Sequence, residues 1–591
     1  MTTPLPKPVL RIANCSGFYG DRISAAREMV NGGPIDFLTG DYLAELTLLI
    51  LWKAQQRDSN GGYATTFLRQ MEEVLGTCLE KGIKVVTNAG GLNPRALAAK
   101  MRELSDALGL QAKIAHIEGD DILDRIPTLQ AKGEPFRHLD TGRSLAEAGV
   151  QPVAANAYLG AWGIVDALNA GADVVVCPRV TDASLVVGPA AWHFGWKRDD
   201  WDRLASAVAA GHILECGAQA TGGNYSFFQE VPHLDNPGFP IAEMHGDGSF
   251  VVTKHEGTGG LVSVGTVTAQ LLYEIGSERY LNPDVVARFD TIQLQQEGPD
   301  RVLVHGVKGE PAPDTTKVCI NYLGGFRNTM TFVLTGLDIE AKARLAEETL
   351  FTKLGGRDSF EDVTVKLIRT DDPDPASNEQ ASALLRVTVK DHDPKKVGRA
   401  FSSAVVEMAL ASYPGFYMTS GPSGEDSYGV YWPALVNAEA IDQVVVAPDG
   451  SRRHIPPVTA TVDHPQVELA PPSQAAPPDG PTVRAPLGTI IGARSGDKGG
   501  NANVGLWART GEAYGWLASY LTVARFKELV GEARDLEVRR YDLPNLRALN
   551  FVVVGLLGEG VASSTRQDAQ AKSFGEYVRA KVADIPAALV R

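Results

Sequence analysis

Residues Gly82–Gly109 read GIKVVTNAGGLNPRALAAKMRELSDALG, and this one stretch decides the fold class. A short β-branched run, IKVV, ends in a polar and glycine-rich turn. Asn93 can then cap and Pro94 start a helix whose apolar residues recur at helical spacing. The same order, strand then turn then helix, recurs in both directions along the chain. VLRIANCSG is a strand closing on a turn, IDFLTGDYLAEL passes from a strand through Gly40 into a helix, and AKIAHIEGDD ends a further strand. LGAWGIVDALNAG is a helix leading into the apolar strand of ADVVVCPRVTD. Continuous β-branched runs alternating with amphipathic helices predict an α/β domain, with a mainly parallel, Rossmann-like sheet covered on both faces.

From about Glu243 the pattern becomes mixed α+β, so a subdivision is expected near 243. Between Pro465 and Pro486 seven prolines interrupt any apolar periodicity. Such a segment buries too little surface to fold alone and reads as a linker. The expected organisation is therefore a main domain over 1–464, a linker over 465–486 and a small α+β domain over 487–591. The small domain reads as a hairpin, a helix, two strands and a last helix.

The 591 residues exceed what one core ordinarily serves, which agrees with several domains. A net charge of −15 argues against a nucleic-acid partner, because phosphate binding needs a surplus of basic residues. The N-terminal residues carry no apolar signal core and no run is long enough to span a bilayer, so a cytoplasmic protein without a membrane partner is expected. The five cysteines are scattered without CxxC spacing, which points to reduced thiols. The histidines form no HxxxH or HExxH pair, so no metal site is predicted, although carboxylate ligation of a divalent ion leaves no fixed spacing to exclude. No GxGxxG or GxxxxGK[ST] motif is present, and the chain lacks a GxSxG elbow. Nicotinamide, ATP and serine-hydrolase chemistry are set aside on these grounds.

In a parallel sheet, ligands gather at the C-terminal strand ends. Four polar clusters fall there: Asn14 with Ser16, then Asp41 with Glu45, then Asn88 with Gly90 and Gly91, then Arg179 with Thr181 and Asp182. A fifth, ILECGAQATGGNY, holds Glu215, Gln219, Gly222, Gly223 and Asn224, whose glycines let a ligand approach the backbone. Asp182 or Glu215 is the candidate base, and Arg179 is the candidate carboxylate-binding fork. Each has a plainer reading: Gly90-Gly91 as a tight turn, Glu215 as a buried ion pair with Arg179. His255-Glu256 reads as an exposed or core pair, since adjacent residues of an extended segment point opposite ways. Beyond the linker, IIGARSGDKGGNANVGL carries Arg494, Ser495, Asp497, Lys498, Asn501 and Asn503 around Gly499-Gly500. The glycines explain a turn; the charged and amide residues point either to anion binding or to docking of the small domain, with Lys498 leaning towards docking.

The clusters NCSGFYGD, LTGDYLAE, VTNAGGLNP, LGAWGIVDALNAGADVVVCPRVTDASLVVGP and ECGAQATGGNY resemble, in this order, the N-terminal domain of the acyclic terpene utilisation (AtuA) family. ARSGDKGGNANVGL resembles the signature of the small, ferredoxin-like domain that accompanies it. The resemblance implies a bacterial catabolic role on branched or terpenoid acyl-CoA thioesters or related carboxylates, by hydration or C–C cleavage as a lyase. It also leaves open a non-catalytic subunit that binds an acyl-CoA within an enzyme assembly. Coenzyme A enters only as part of the substrate, with no separate cofactor, and a homo-oligomer is the expected state.

Overall fold

The computed structural model describes residues 8–462 and 480–590. Its central feature is an eleven-stranded sheet. The strands are β1 (Val9–Asn14), β2 (Phe37–Gly40), β3 (Lys84–Thr87), β4 (Ile114–Glu118), β5 (Val174–Val176), β6 (Pro240–His245), β7 (Phe250–Lys254), β8 (Gln293–Gly298), β9 (Arg301–His305), β10 (Val444–Val446) and β11 (Arg452–His454). They lie in the order β8-β9-β7-β6-β1-β2-β3-β5-β4-β10-β11. The middle five, β1-β2-β3-β5-β4, are parallel. Antiparallel strands extend both edges, and the pattern change near 243 falls inside β6, which pairs antiparallel with β1 through Ile12 and Ala242.

The continuous β-branched runs follow from burial on both faces. Side chains alternate across a strand, so Ile12, Phe37, Val86 and Val175 pack on one face with the helices Trp162–Asn169, Ser184–Phe194 and Trp201–Leu214. Ala13, Leu38, Val85, Val174 and Val176 pack on the other, against Ala25–Gly32, Thr65–Lys81 and Pro94–Ala107. Val174, Val175 and Val176 are each fully buried, and burial of one such side chain stabilises by roughly 1.5–3 kcal/mol. The turn in the stretch 82–109 forms as its residues dictate. The Asn93 side chain accepts the Ala96 N–H at 3.1 Å, Pro94 takes the first helical position, and Gly91 adopts φ +51°.

The chain divides into two compact units. One contains the described residues up to Asn321, those within Tyr431–Val561 and those from Asp568 onward. The other comprises Tyr322–Val430 and Ala562–Gln567, an α+β unit in which the helix Ile339–Lys353 covers the strands Asp362–Ile368 and Ser382–Asp391 around Phe332, Leu350, Leu385 and Phe401.

The expected linker lies outside the described residues as far as 479, and its last residues form the strand Thr482–Pro486, paired with Val582–Pro586. The small α+β fold expected after it is present: β12 (Ile491–Lys498), β13 (Asn501–Ala508), β14 (Val538–Leu543) and β15 (Ala548–Val553) make an antiparallel sheet in the order β12-β13-β15-β14. The helices Gly511–Tyr520, Val523–Leu529 and Phe574–Arg579 bury Leu517, Phe526, Phe574 and Val578 against it. The β12-β13 connection is the two-residue turn Gly499-Gly500, with Gly499 at φ +62° and Lys498 paired with Asn501. Among the described residues no helix is long and apolar enough to cross a membrane.

Candidate functional site

Three strand ends bring the first side chains together. Asp41, directly after β2, accepts Asn88 Nδ2 at 2.6 Å and the Leu43 N–H at 3.0 Å, while Asn88 Oδ1 accepts the Tyr42 N–H at 2.8 Å. Arg179, three residues after β5, is 2% exposed. Its Nη1 donates to the Leu43 carbonyl at 3.1 Å, Nη2 lies 3.1 Å from Asp182 Oδ1, and its guanidinium stacks 4.1 Å from the centre of the Tyr158 ring. The Arg179 N–H donates to Asp120 Oδ2, which also accepts from Asn156 Nδ2.

Glu45 opens the helix Glu45–Arg57, where the helix N-terminus favours a negative charge. It accepts Tyr158 Oη at 2.8 Å and Lys317 Nζ at 3.1 Å. Glu215 ends the helix Trp201–Leu214, and its Oε1 lies 3.1 Å from Nδ1 of the buried His212, out of line for a hydrogen bond. The His212 ring packs against Tyr280 and Phe289.

Beyond the sequence stretches that suggested it, the cluster draws on the C-terminal sheet. Gly496 presses against Tyr273 and Glu274 with no room for a Cβ, which lays β12 on the loop after the helix Val264–Leu271. Asn503 fixes this arrangement: its Nδ2 donates to the Leu272 carbonyl at 2.9 Å and its Oδ1 accepts the Glu274 N–H at 2.9 Å. From this face Arg494 stacks on Tyr273 at 4.5 Å, and Lys498 reaches the Tyr280 ring at 5.8 Å.

The electrostatics of the cluster are those of a carboxyl-rich interior. Burial, reinforced by Asp182, pushes the Asp41 carboxyl well above its usual range, with Arg179 and Asn88 opposing. Burial and Asp182 do the same to Glu215, against Lys498 and Arg179. Glu274 is pushed up to about 8, chiefly by burial, and Asp497 is raised by burial and by Glu274. Burial also works against the charge of Glu45, but Lys317 and Arg179 outweigh it and hold that carboxylate below its usual range. His212 falls to about 3 through burial and the charge of Lys498, so it is a neutral imidazole at neutral pH. The result is a set of carboxyls that burial biases towards the protonated form beside a fixed guanidinium.

Among the described residues several buried polar atoms in this cluster have no hydrogen-bond partner: Arg179 Nε, Glu215 Oε2 and Tyr431 Oη. Each such atom carries a desolvation penalty of about 1–3 kcal/mol. Their convergence in one place marks where a polar ligand would bond.

Not every residue expected here faces the cluster. The Gly90 and Gly91 N–H groups donate to the Cys177 and Asn88 carbonyls, and those of Gly222 and Gly223 to Gln219 and Ala218. These glycines shape turns and offer no free donors to a ligand. Ser16 closes a turn onto Asn14 and Phe18 and accepts the Asp41 N–H, supporting Asp41 from behind. Thr181 pairs with Ser184 at 2.6 Å, and Gln219 with the exposed Asn224, whose carbonyl accepts Arg494 Nη1 at 3.2 Å. Ser495 bonds the Ala571 carbonyl and the Gly575 N–H within the small fold, whereas Asn501 bonds both Asp140 and the Gly555 N–H and so serves docking as well as internal structure. His255 is a core histidine bonded to the Met29 carbonyl. All five cysteines are free thiols. Among the described residues no three of His, Cys, Asp and Glu are grouped so as to hold a metal ion.

Sequence reasoning missed Tyr158, Lys317, Glu274, Tyr280 and Tyr431. Lys317 is carried on the strand Thr315–Thr335, and its carbonyl accepts the Tyr158 N–H at 2.9 Å. Two aromatic rings enclose its amine, Tyr158 at 4.9 Å and Tyr431 at 5.5 Å.

Asp120 supplies a pH test of this geometry. It is 3% exposed, and burial pushes its pKa up to about 7. The unfolded value lies near about 4, so the folded chain holds the extra proton and stability falls as pH rises from about 4 to about 7. Asp120→Asn is expected to remove that slope, a gain of at most roughly 4 kcal/mol above the window. Denaturant unfolding on either side of it reads the effect, and an unchanged slope in the variant would refute the assignment.

Two family profiles match the chain. One, described as "Acyclic terpene utilisation family protein AtuA", matches residues 10–447, and the other, "AtuA ferredoxin-like domain", matches residues 485–583. No curated protein and no solved structure matches it.

Proposed function

The chain belongs to the acyclic terpene utilisation family AtuA, and we propose that it is a catabolic enzyme that acts by acid–base chemistry on a branched or terpenoid acyl-CoA, or a related carboxylate, in a hydration or C–C cleavage step. The observation that carries this reading is the convergence of unpartnered buried polar atoms, Arg179 Nε, Glu215 Oε2 and Tyr431 Oη, beside a Glu215 carboxyl that burial raises well above its usual range. A fold maintained for stability alone satisfies its buried polar atoms, because each unmet one is costly.

The roles follow from the chemistry of each group. Arg179, with Nε unengaged, offers a donor to a carboxylate or to the oxygen of a developing enolate. Tyr431 Oη offers a second neutral donor, held protonated by burial. Glu215 donates or recovers the proton at the α- or β-carbon, and Asp182 keeps Arg179 charged and oriented. Coenzyme A enters as part of the substrate.

The test combines binding with turnover. The full chain is incubated in deuterated water with branched acyl-CoAs of increasing length, and exchange or cleavage at the α-carbon is followed by NMR alongside calorimetry. Deuterium incorporation or cleavage is the expected result. Calorimetric binding without either refutes catalysis and leaves a subunit that holds an acyl-CoA for a partner enzyme.

A further inference from the structure

We propose that Lys498, supplied by the C-terminal hairpin, is a covalent-catalysis residue that captures an aldehyde or ketone carbonyl as an imine. The inference rests on the reading of the cluster as a catalytic site, and it adds a nucleophile and a substrate class to it. It also gives the small C-terminal fold a chemical part rather than a docking part.

The geometry is that of a presented amine. Arg494, Gly496 and Lys498 alternate onto one face of β12. Gly496 holds that face against Tyr273 and Glu274, and two residues later Lys498 carries its amine past this contact to the Tyr280 ring. There it lies half-buried in the fields of Lys317, Glu274, Glu45 and Glu215. Yet among the described residues no carboxylate comes within ion-pair distance of it. The other cations nearby behave differently: Lys317 is paired with Glu45 at 3.1 Å, Arg179 with Asp182 at 3.1 Å, and Lys572 approaches Glu274 at 3.5 Å.

An ammonium group taken out of water ordinarily ends in an ion pair. An unpaired lysine in a carboxyl-rich interior is instead suited to carry a neutral amine, the form that attacks a carbonyl. Burial and the like charge of Lys317 both push its pKa down. The Tyr280 ring supplies an apolar wall, and Glu215 and Glu274 serve as proton donors, their carboxyls biased towards the protonated form by burial.

The step balances with these groups alone. The amine nitrogen adds to the carbonyl carbon, and one of its protons passes to the carbonyl oxygen to give a carbinolamine. A proton from Glu215 or Glu274 then lets that oxygen leave as water, so that amine, carbonyl and one proton become an iminium ion and water. The iminium draws electrons from the adjacent C–H or C–C bond and becomes an enamine. Where a C–H bond breaks, the carboxylate left behind takes the released proton; where a C–C bond breaks, that carboxylate takes the proton of a β-hydroxyl and the fragment leaves as an aldehyde or ketone. The enamine takes the proton back at carbon to re-form the iminium, and water then adds, releasing the product carbonyl and the free lysine and returning one proton to the carboxylate.

The test is reductive trapping on the full-length chain with acetone and sodium cyanoborohydride, followed by peptide mass mapping. The expected result is an isopropyl group on Lys498 formed faster than on any other lysine of the chain. Lys498→Arg keeps the charge and the hairpin but cannot form the imine. It is expected to abolish the trapped product and turnover while unfolding at the wild-type temperature. Label spread over surface lysines without preference for Lys498 overturns the proposal, as does a Lys498→Arg variant with full turnover. The two readings are separable. If Glu215→Gln loses turnover while Lys498→Arg keeps it, the imine is overturned and the acid–base site stands. If Lys498 is trapped while Glu215→Gln keeps full activity, the imine stands and the acid–base assignment is overturned.

Discussion

Arg179→Ala is expected to cost about 3–5 kcal/mol of stability and to abolish turnover, the largest structural effect of any single substitution in the cluster. The size follows from what the guanidinium touches. It is 2% exposed, donates to the Leu43 carbonyl, lies 3.1 Å from Asp182 and stacks on Tyr158. It is also one of the two cations that hold Glu45 ionised against burial. Alanine leaves Asp182 and Glu45 short of positive charge and opens a void against the Tyr158 ring. The loss has a pH signature. A carboxyl held below its unfolded pKa stabilises the fold above that unfolded value, near about 4.3 for glutamate, and the contribution fades as pH falls towards the folded pKa. Removing Arg179 shrinks this contribution from Glu45. The deficit of the variant is therefore expected to be larger at neutral pH than near pH 4. Urea unfolding of wild type and variant at the two pH values checks this, and a variant as stable as wild type would show Arg179 to be peripheral. Arg179→Lys restores charge without the planar fork or the stacking, and is expected to recover part of the stability but not turnover.

The strand–turn–helix order of 82–109 and its repeats carried the parallel centre of the sheet and four of the strand-end clusters, because burial on both faces forces the β-branched runs that make those strands visible. Asp41, Asn88, Arg179 and Asp182 were legible for the same reason: a polar residue directly after an apolar strand has to be at a strand end. The glycine pairs were open to two readings. The N–H groups of Gly90-Gly91 and of Gly222-Gly223 close turns, the plainer reading given for Gly90-Gly91. Nothing local distinguishes the two uses of a glycine pair, since the partner carbonyls of Cys177 and Ala218 are set by the folded backbone. Tyr158, Lys317, Glu274 and Tyr431 carry no motif. They meet Arg179 and Glu45 only because strands far apart in sequence cross the same place, and that information lies in the topology. The hairpin lay between the two cases. Its glycine turn was readable, and so was the choice between anion binding and docking. Ser495, Asn501 and Asn503 hold the hairpin, while Arg494 and Lys498 lie against the rings of Tyr273 and Tyr280.

Glu215→Gln is expected to lower turnover by about 10²–10⁴-fold, the usual contribution of a positioned acid or base, while leaving the fold intact. The two halves of this expectation have one cause. Burial and Asp182 raise the Glu215 carboxyl well above its usual range and so favour a neutral, protonated side chain there. Glutamine has nearly the same shape and no charge, so the packing beside His212 and Cys216 is retained. What it lacks is the exchangeable proton, and the substrate carbon loses its acid or base. A carboxyl whose folded pKa lies above the unfolded one makes the fold less stable as pH rises through the window between the two, because the folded state gives up its proton with more difficulty. Glutamine has no such cost. The variant is therefore expected to gain stability relative to wild type as pH rises above about 4.3, the unfolded glutamate value. Deuterium exchange at the substrate α-carbon and thermal unfolding, both followed across pH on the same preparations, separate the possibilities. Lost exchange with an equal or higher unfolding temperature identifies Glu215 as the group that moves the proton. Lost exchange together with a collapsed fold assigns it to a structural pair with His212, and exchange at the wild-type rate moves the acid–base role to Glu274, the next protonated carboxyl that Lys498 approaches.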